Sequence, residues 1–385
     1  MSAKARRGEL LLKRFSDAVG ITESGRNWII VACDPFHDTD VDCIGYPDDN
    51  IAASVVQEVK VSFTVKKPAG LAAGNWDCHF TSAPFFEAQT LKKHVMEGSV
   101  VNAAEGAPSI NWGGVTAIAC ASGSTTDFET IIAGTSVIAG RATLNAKYFT
   151  GPSRVIAGGF EVVNTTAQID ASGQVVVYRN PFPYHYPTSR LLVQTVPSVA
   201  VVGCQSMTEC PFHPQDISEA MLLCGTRQWH AKEGAYTPFT FNSVVIPAQG
   251  RAEASAIYQD DDAPTVCYLP ALTTSGGGTG AYKYVPPLYV APLNQSGQYF
   301  TGLADQSTLT CTMNCWIERF PDTREVDLMP LAKPSPPYDA KALELYSRLL
   351  RDMPPGVPVR ENGLGDWFKG VISSVGKIAG HIPHP

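Results

Sequence analysis

An asparagine side-chain amide can attack its own main-chain carbonyl carbon, expel the next residue as an amine and leave a cyclic imide. The step needs the right geometry, exclusion of water and a carboxyl group to move protons. Two stretches of this 385-residue chain carry those residue types. One is Asn362-Gly363, close to the end of the sequence. The other is Cys33-Asp-Pro-Phe-His-Asp-Thr-Asp-Val-Asp-Cys-Ile-Gly-Tyr-Pro-Asp48, which holds Asp34, Asp38, Asp40 and Asp42 and runs on to Asp49. Both have simpler readings. Asn-Gly is a good turn dipeptide, and deamidation, in which the Gly363 nitrogen attacks the side-chain carbonyl, competes with cleavage. Most of the aspartates suit a solvated turn with Asx caps. One buried member could serve as acid and base.

Metal and conventional catalytic patterns are weaker. Aspartates at alternate positions suit calcium, but the glycine and glutamate of an EF-hand loop are missing from their places. Cys204, Cys210, His213 and Cys224 match no common zinc spacing. The sequence holds no Gly-x-Ser-x-Gly elbow, Walker loop, His-Glu-x-x-His or Cys-x-x-Cys pair. Metal ligands are therefore unassigned.

The residues between the two stretches read as strands. Val59, Val61, Phe63 and Val65 alternate with Lys60, Ser62 and Thr64, which predicts a two-faced strand over 55–65. Residues 76–80 alternate likewise. Residues 155–163 and 174–178 are expected to form a hairpin around the loop 164–173. Further strands are expected at 192–203, 237–246, 282–290 and 307–317. Residues 84–143 and 247–280 are long connections. The first has apolar stretches that suit added strands, and the second, with Asp260-Asp-Asp262 and Gly276-Gly-Gly278, is expected as an exposed loop. A short helix is expected at 10–18, with almost no other helical period before residue 338. The count and spacing predict an all-β fold, an antiparallel sandwich.

From Tyr338 the period changes. Ala342, Leu345, Tyr346 and Leu349 fall on one helical face between Ser335-Pro-Pro and Pro354-Pro355. Beyond that break, Leu364, Trp367, Phe368, Val371, Ile372, Val375, Ile378 and Ala379 form a second stripe, with Asp366, Lys369, Ser373 and Lys377 off it. Such a stripe is usually core. In a terminal, glycine-interrupted segment it also suits a lipid interface. Burial at roughly 1.5–3 kcal/mol per side chain would hold it in a groove or in a membrane.

Composition fits a β-rich body. Hydrophobic residues make up 44% and charged residues 17%, below the usual quarter or so, with Gly 33 and Pro 29. The net charge of −7 argues against bulk electrostatic capture of nucleic acid. Only the first 29 residues lean the other way. There Lys4, Arg6, Arg7, Lys13, Arg14 and Arg26 face Glu9, Asp17 and Glu23. No secretory signal and no membrane-spanning helix are expected. The ten cysteines are accordingly read as reduced and mostly buried.

Ser335-Pro-Pro-Tyr-Asp-Ala-Lys-Ala-Leu-Glu-Leu-Tyr346, followed by Asn362, a small residue and a Trp-led helix, resembles the C-terminal region of nodavirus capsid proteins. Asp34-Pro-Phe-His-Asp-Thr-Asp40, Gly45-Tyr-Pro-Asp48 and Cys315-Trp-Ile-Glu-Arg-Phe-Pro-Asp322 resemble the borders of that family's shell domain. The resemblance spans about 30 to 380 and is specific at the two ends.

It implies an eight-stranded antiparallel jelly-roll β-sandwich with C-terminal amphipathic helices. The segments would be an arm over 1–29, a shell domain over 30–325, a helical segment over 326–362 and a releasable peptide over 363–385. The chain would be the coat protein of a small non-enveloped RNA virus, a homo-oligomer assembled in the host cytoplasm into an icosahedral virion. Its partners would be copies of itself, genomic RNA through the arm and a host membrane through the tail. Enzymatic activity would be at most one self-cleavage per chain, at Asn362-Gly363. The assisting aspartate would lie in the 34–40 loop. Asp34 is the first choice because it follows an apolar run, with Asp38 and Asp40 as alternatives. Calcium between subunits is compatible with the resemblance, without assigned ligands.

Two departures stand out. The family's arm is long and Arg-rich, whereas this one is short and weakly basic. Gly363 stands where well-known members have Ala. Two other classes remain open on the residues alone. One is a β-sandwich carbohydrate-binding protein or hydrolase with its site on loops such as 247–280. The other is a membrane-lytic protein acting alone.

Overall fold

The alternation over 55–65 is realised as strand β1 (Val55–Lys66), in which Val59 and Val65 are buried while Lys60, Ser62 and Thr64 face solvent. The computed structural model describes residues 20–36, 41–83, 90–91, 112–122, 136–144, 152–167, 171–180, 187–196, 199–210, 214, 217–241, 243–246, 256–260, 263–268, 293–321 and 325–361. The further strands are β2 (Trp76–Ala83), β3 (Thr90–Leu91), β4 (Trp112–Ala121), β5 (Ser136–Leu144), β6 (Ser153–Asn164), β7 (Gln174–Asn180), β8 (Pro187–Val196) and β9 (Val199–Cys210). They continue as β10 (Arg227–His230), β11 (Ala235–Pro238), β12 (Ala256–Asp260), β13 (Ala263–Tyr268), β14 (Gln295–Leu303) and β15 (Thr308–Arg319). The α-helices are α1 (Glu23–Cys33), α2 (Ile217–Leu222) and α3 (Ala340–Asp352).

The strands form three sheets, in the orders β1-β15-β6-β11, β10-β7-β14-β2-β4-β5 and β3-β12-β13-β9-β8. Setting β4 and β5 aside, the first two sheets are β1-β15-β6-β11 and β2-β14-β7-β10. That is the interleaved order of two Greek keys, a jelly roll. Their apolar faces meet in the core, where Phe80 lies 6.3 Å from Phe63 and 5.7 Å from Phe300 (ring centroids), with Phe160, Met313 and Ile317 also buried. A body of eight strands alone is thus an underestimate. The connection 84–143 supplies β3, β4 and β5, and β4 and β5 extend the second sheet beyond β2.

Antiparallel pairing fixes which end each connection leaves. The short links after β1, β6, β10 and β14 lie at one end of the sandwich. The long ones after β2, β7 and β11 leave the opposite end. The third sheet is built from these three insertions: β3, the β8–β9 hairpin and the β12–β13 hairpin.

Several sequence-based expectations are corrected. Residues 155–163 and 174–178 do not form a hairpin: β6 and β7 pair with β15 and β14 in opposite sheets. The run 192–203 is divided between β8 and β9, which pair antiparallel with each other. The expected strand at 237–246 is regular only over Ala235–Pro238, followed by an isolated bridge from Phe241 to Leu293. The presumed loop 247–280 contains β12 and β13. The expected strand at 282–290 and the expected helix at 10–18 lie outside the described residues.

Helix α1 was not anticipated, because Trp28, Ile29, Ile30, Val31, Ala32 and Cys33 are all buried and leave no polar face to give a period. Its Trp28 ring lies 4.8 Å from both Tyr46 and Tyr346, and its indole N–H donates to the Ile156 carbonyl at 3.0 Å. Helix α3 forms as expected, with Ala342, Leu345, Tyr346 and Leu349 buried. One carboxylate joins the two helices. Asp339 caps α3 by accepting from the Ala342 N–H at 2.9 Å, and it also accepts from the N–H and hydroxyl of Thr22, the α1 N-cap, at 2.7 Å each.

Candidate functional site

Asp34 ends α1. Its N–H still donates to the Ile30 carbonyl at 2.9 Å, and its side chain turns into the protein with 6% exposure. Pro35 and Phe36 then cross the outer face of the first sheet. The Pro35 carbonyl accepts from the Asn314 amide at 2.5 Å, and Asn314 also donates to Glu58 at 2.8 Å. Gly159 makes this crossing possible: a Cβ there would lie 3.0 Å from the Pro35 ring. The fold therefore presses the 34–36 segment against β6 and β15.

Tyr236, on edge strand β11, closes the site. Its hydroxyl donates to Asp34 Oδ1 at 3.0 Å, and its ring stands edge-on to Phe36 with centroids 5.6 Å apart. Burial, reinforced by the neighbouring Asp34 charge, pushes the phenol well above its ordinary range, so it stays protonated and donates. Glu161, opposite Tyr236 on β6, is half-buried. Burial raises its carboxyl pKa, with Lys60 pulling the other way. Lys60 also pairs with Glu58 at 3.1 Å and sits 6.0 Å over the Phe36 ring.

The same tyrosine holds the last described segment of the chain. Its N–H donates to the Val357 carbonyl at 2.8 Å, and the Val357 N–H donates back to its carbonyl at 3.0 Å. Residues 353–361 lie as a strap along the open edge of the sandwich. Arg179 on β7 donates to the Met353 and Pro354 carbonyls at 3.1 and 3.0 Å, and Arg360 pairs with Glu233 at 2.6 Å. The strap ends at Glu361, next to Asn362 in sequence.

The structure thus brings together Asp34 and the segment leading to Asn362. Asp38, Asp40, Asn362, Gly363, Leu364, Trp367, Phe368, Val371, Ile372, Val375, Ile378 and the arm residues Lys4, Arg6, Arg7, Lys13 and Arg14 lie outside the described residues. Tyr236 and Glu161 were not singled out in the sequence. Both are strand residues far from residue 34, and no local pattern marks them.

Asp42 and Asp48 take other roles. Asp42 is exposed and pairs with Lys333 at 3.0 Å. Asp48 is not a solvated turn residue: it pairs with the buried Arg154, which also binds Glu318 at 2.7 Å and the Ile246 carbonyl at 2.7 Å. Burial opposes the Arg154 charge, but Asp48 and Glu318 outweigh it and hold the guanidinium above its ordinary range. His79 accompanies Tyr178 at 2.8 Å, and burial pushes it down to about 3, so it is neutral and structural.

Of the cysteines whose side chains are described, Cys33, Cys43, Cys78, Cys120, Cys311 and Cys315 are buried and Cys224 is exposed. Among the described residues no cluster of three metal-ligating side chains occurs, and no helix is long and apolar enough to cross a membrane.

No family model and no curated protein sequence matches the chain. Solved structures similar to it include those of virus particles. The infectious bursal disease virus VP2 subviral particle matches at 9% identity and a TM-score of 0.48, covering 90% of this chain and 99% of that one. T=1 particles derived from infectious bursal virus match at 8% and 0.48, covering 87% and 94%. The semi-empty virus-like particle of the Macrobrachium rosenbergii nodavirus matches at 10% and 0.22, covering 70% and 96%.

Proposed function

We propose that this chain is the shell-forming coat protein of a small non-enveloped RNA virus, and that it cuts itself once, between Asn362 and Gly363. The jelly-roll strand order and the sequence resemblance at both borders support the shell role. The observation that carries the cleavage is the meeting at Tyr236 of a buried aspartate and the strap that leads to Asn362.

In the reaction, Asn362 Nδ2 forms a bond to its own carbonyl carbon while the bond from that carbon to the Gly363 nitrogen breaks. Nδ2 loses a proton and the departing Gly363 nitrogen gains one. Asp34, largely shielded from water, moves that proton. The body then ends in an imide that water opens, and residues 363–385 leave as an amphipathic peptide suited to a lipid interface. The arm over 1–29 would meet RNA only weakly, given its small positive excess.

Purified protein should elute as megadalton particles, and a stable monomer overturns the shell reading. Mass spectrometry of the particles should find peptide 363–385 together with a body fragment ending at residue 362, partly one water lighter as the imide. Asp34→Asn should assemble normally and abolish the cut. Cleavage at an unchanged rate in Asp34→Asn transfers the role to Asp38 or Asp40.

A further inference from the structure

We propose that Tyr236 is a positioning residue for self-cleavage, holding the Asp34 carboxyl with its hydroxyl and the chain leading to Asn362 with its backbone. The inference rests on the self-cleavage reading above and names the residue that would couple its two halves.

Three observations meet at this residue. The hydroxyl–carboxylate hydrogen bond is 3.0 Å long, and both partners are almost fully buried, Tyr236 with 4% exposure and Asp34 with 6%. The backbone of Tyr236 exchanges two hydrogen bonds with Val357, which is five residues before Asn362. The ring is clamped edge-on by Phe36, two residues after Asp34. One residue of β11 thus fixes the strap and the aspartate relative to each other.

Gly356 lets the strap approach this closely. A Cβ there would lie 2.7 Å from the Tyr236 carbonyl oxygen and 2.9 Å from Thr237 Oγ1. Other ionisable groups around Asp34 are Cys33 on α1, Glu161 on β6, and Glu58 and Lys60 on β1. The Arg360–Glu233 pair sits at the end of the strap.

Tyr236→Phe keeps the ring and removes the donor. The hydroxyl favours the ionised carboxylate, so its loss makes Asp34 harder to ionise. The pH midpoint of the cleavage rate should therefore move upward by about one unit, whether Asp34 acts as base or as acid. Gly356→Ala sets a methyl against the Tyr236 carbonyl and pushes the strap away, while the Tyr236 hydroxyl and the Asp34 carboxylate keep their partners. It should slow the cut by roughly ten- to a hundredfold at an unmoved midpoint.

The experiment follows release of peptide 363–385 from assembled particles by mass spectrometry over a pH series, for the unaltered chain and each variant. An unmoved midpoint in Tyr236→Phe, or an unslowed cut in Gly356→Ala, overturns the positioning role while leaving self-cleavage intact. Absence of any cut in the unaltered chain overturns the self-cleavage reading itself. Should Tyr236→Phe fail to assemble, the Gly356→Ala rate decides alone.

Discussion

Arg154 shows how a residue far from the proposed chemistry fixes the frame around it. It is 1% exposed, and its charge is met by Asp48 from the loop before β1 and by Glu318 at the end of β15. Glu318 also accepts from the Ser54 hydroxyl at 2.8 Å and the Tyr46 N–H at 3.3 Å. The guanidinium lies 5.1 Å from the Tyr46 ring and 5.3 Å from the Phe320 ring. Removing one member of such a pair strands a buried charge. Arg154→Met should therefore lower unfolding free energy by about 3–5 kcal/mol, measured by denaturant titration of unassembled protein. The double variant Arg154→Met/Glu318→Leu should recover a large part of that loss, because an apolar pair leaves no charge behind. A double variant as unstable as the single one would place the loss in packing instead. The sequence gives no hint of this pair, since its partners are 164 positions apart and each alone looks like an ordinary surface charge.

At the scale of elements, legibility followed how many faces a segment buries. Strand β1 and helix α3 each keep one polar face, so their periods were readable from sequence. Helix α1 is buried all round its last two turns, and its apolar run has no period to read. The assignment of β6 and β7 to opposite sheets was equally hidden, because a loop of nine residues serves a hairpin or a crossover alike. Asp34 could be favoured from its place after the apolar run. Tyr236 could not, because its role arises only when β11, α1 and the strap meet. The α1–α3 pair also yields a prediction. Asp339 is 5% exposed and accepts from three donors on the two helices. Asp339→Ala should cost about 2–4 kcal/mol, since a cap is lost and buried donors are left without an acceptor. Amide hydrogen exchange should show α1 and α3 losing protection together. Loss confined to α3 would mean that Asp339 is only a local cap.

For the whole molecule, the jelly roll separates two ends. The strap runs past Gly234 and Glu233, in the short link between β10 and β11, so residue 361 points toward the end with the short connections. The third sheet draws its strands from the three insertions at the other end. The third sheet and the end of the strap therefore lie toward opposite ends of the sandwich, the polarity that the proposed shell role would need between outside and inside. The third sheet should then be separable, but only as a unit. Its strands β9, β13, β12 and β3 pair in series, with β13 held between β9 and β12. Deleting residues 181–213 alone would bare the β13 edge, an open template for aggregation. Replacing 84–111, 181–213 and 247–292 together by short Gly-Ser linkers removes every strand of that sheet and leaves the ten strands of the sandwich paired as they are. Two of the three linkers have short spans to cross: Ala83 already pairs with Gly114, and Phe241 bridges to Leu293. By size exclusion and thermal unfolding, the triple replacement should stay soluble with a cooperative transition, while the single deletion should aggregate. A triple replacement that cannot fold would show that the third sheet is structurally required by the sandwich and is not a separable module carried on it.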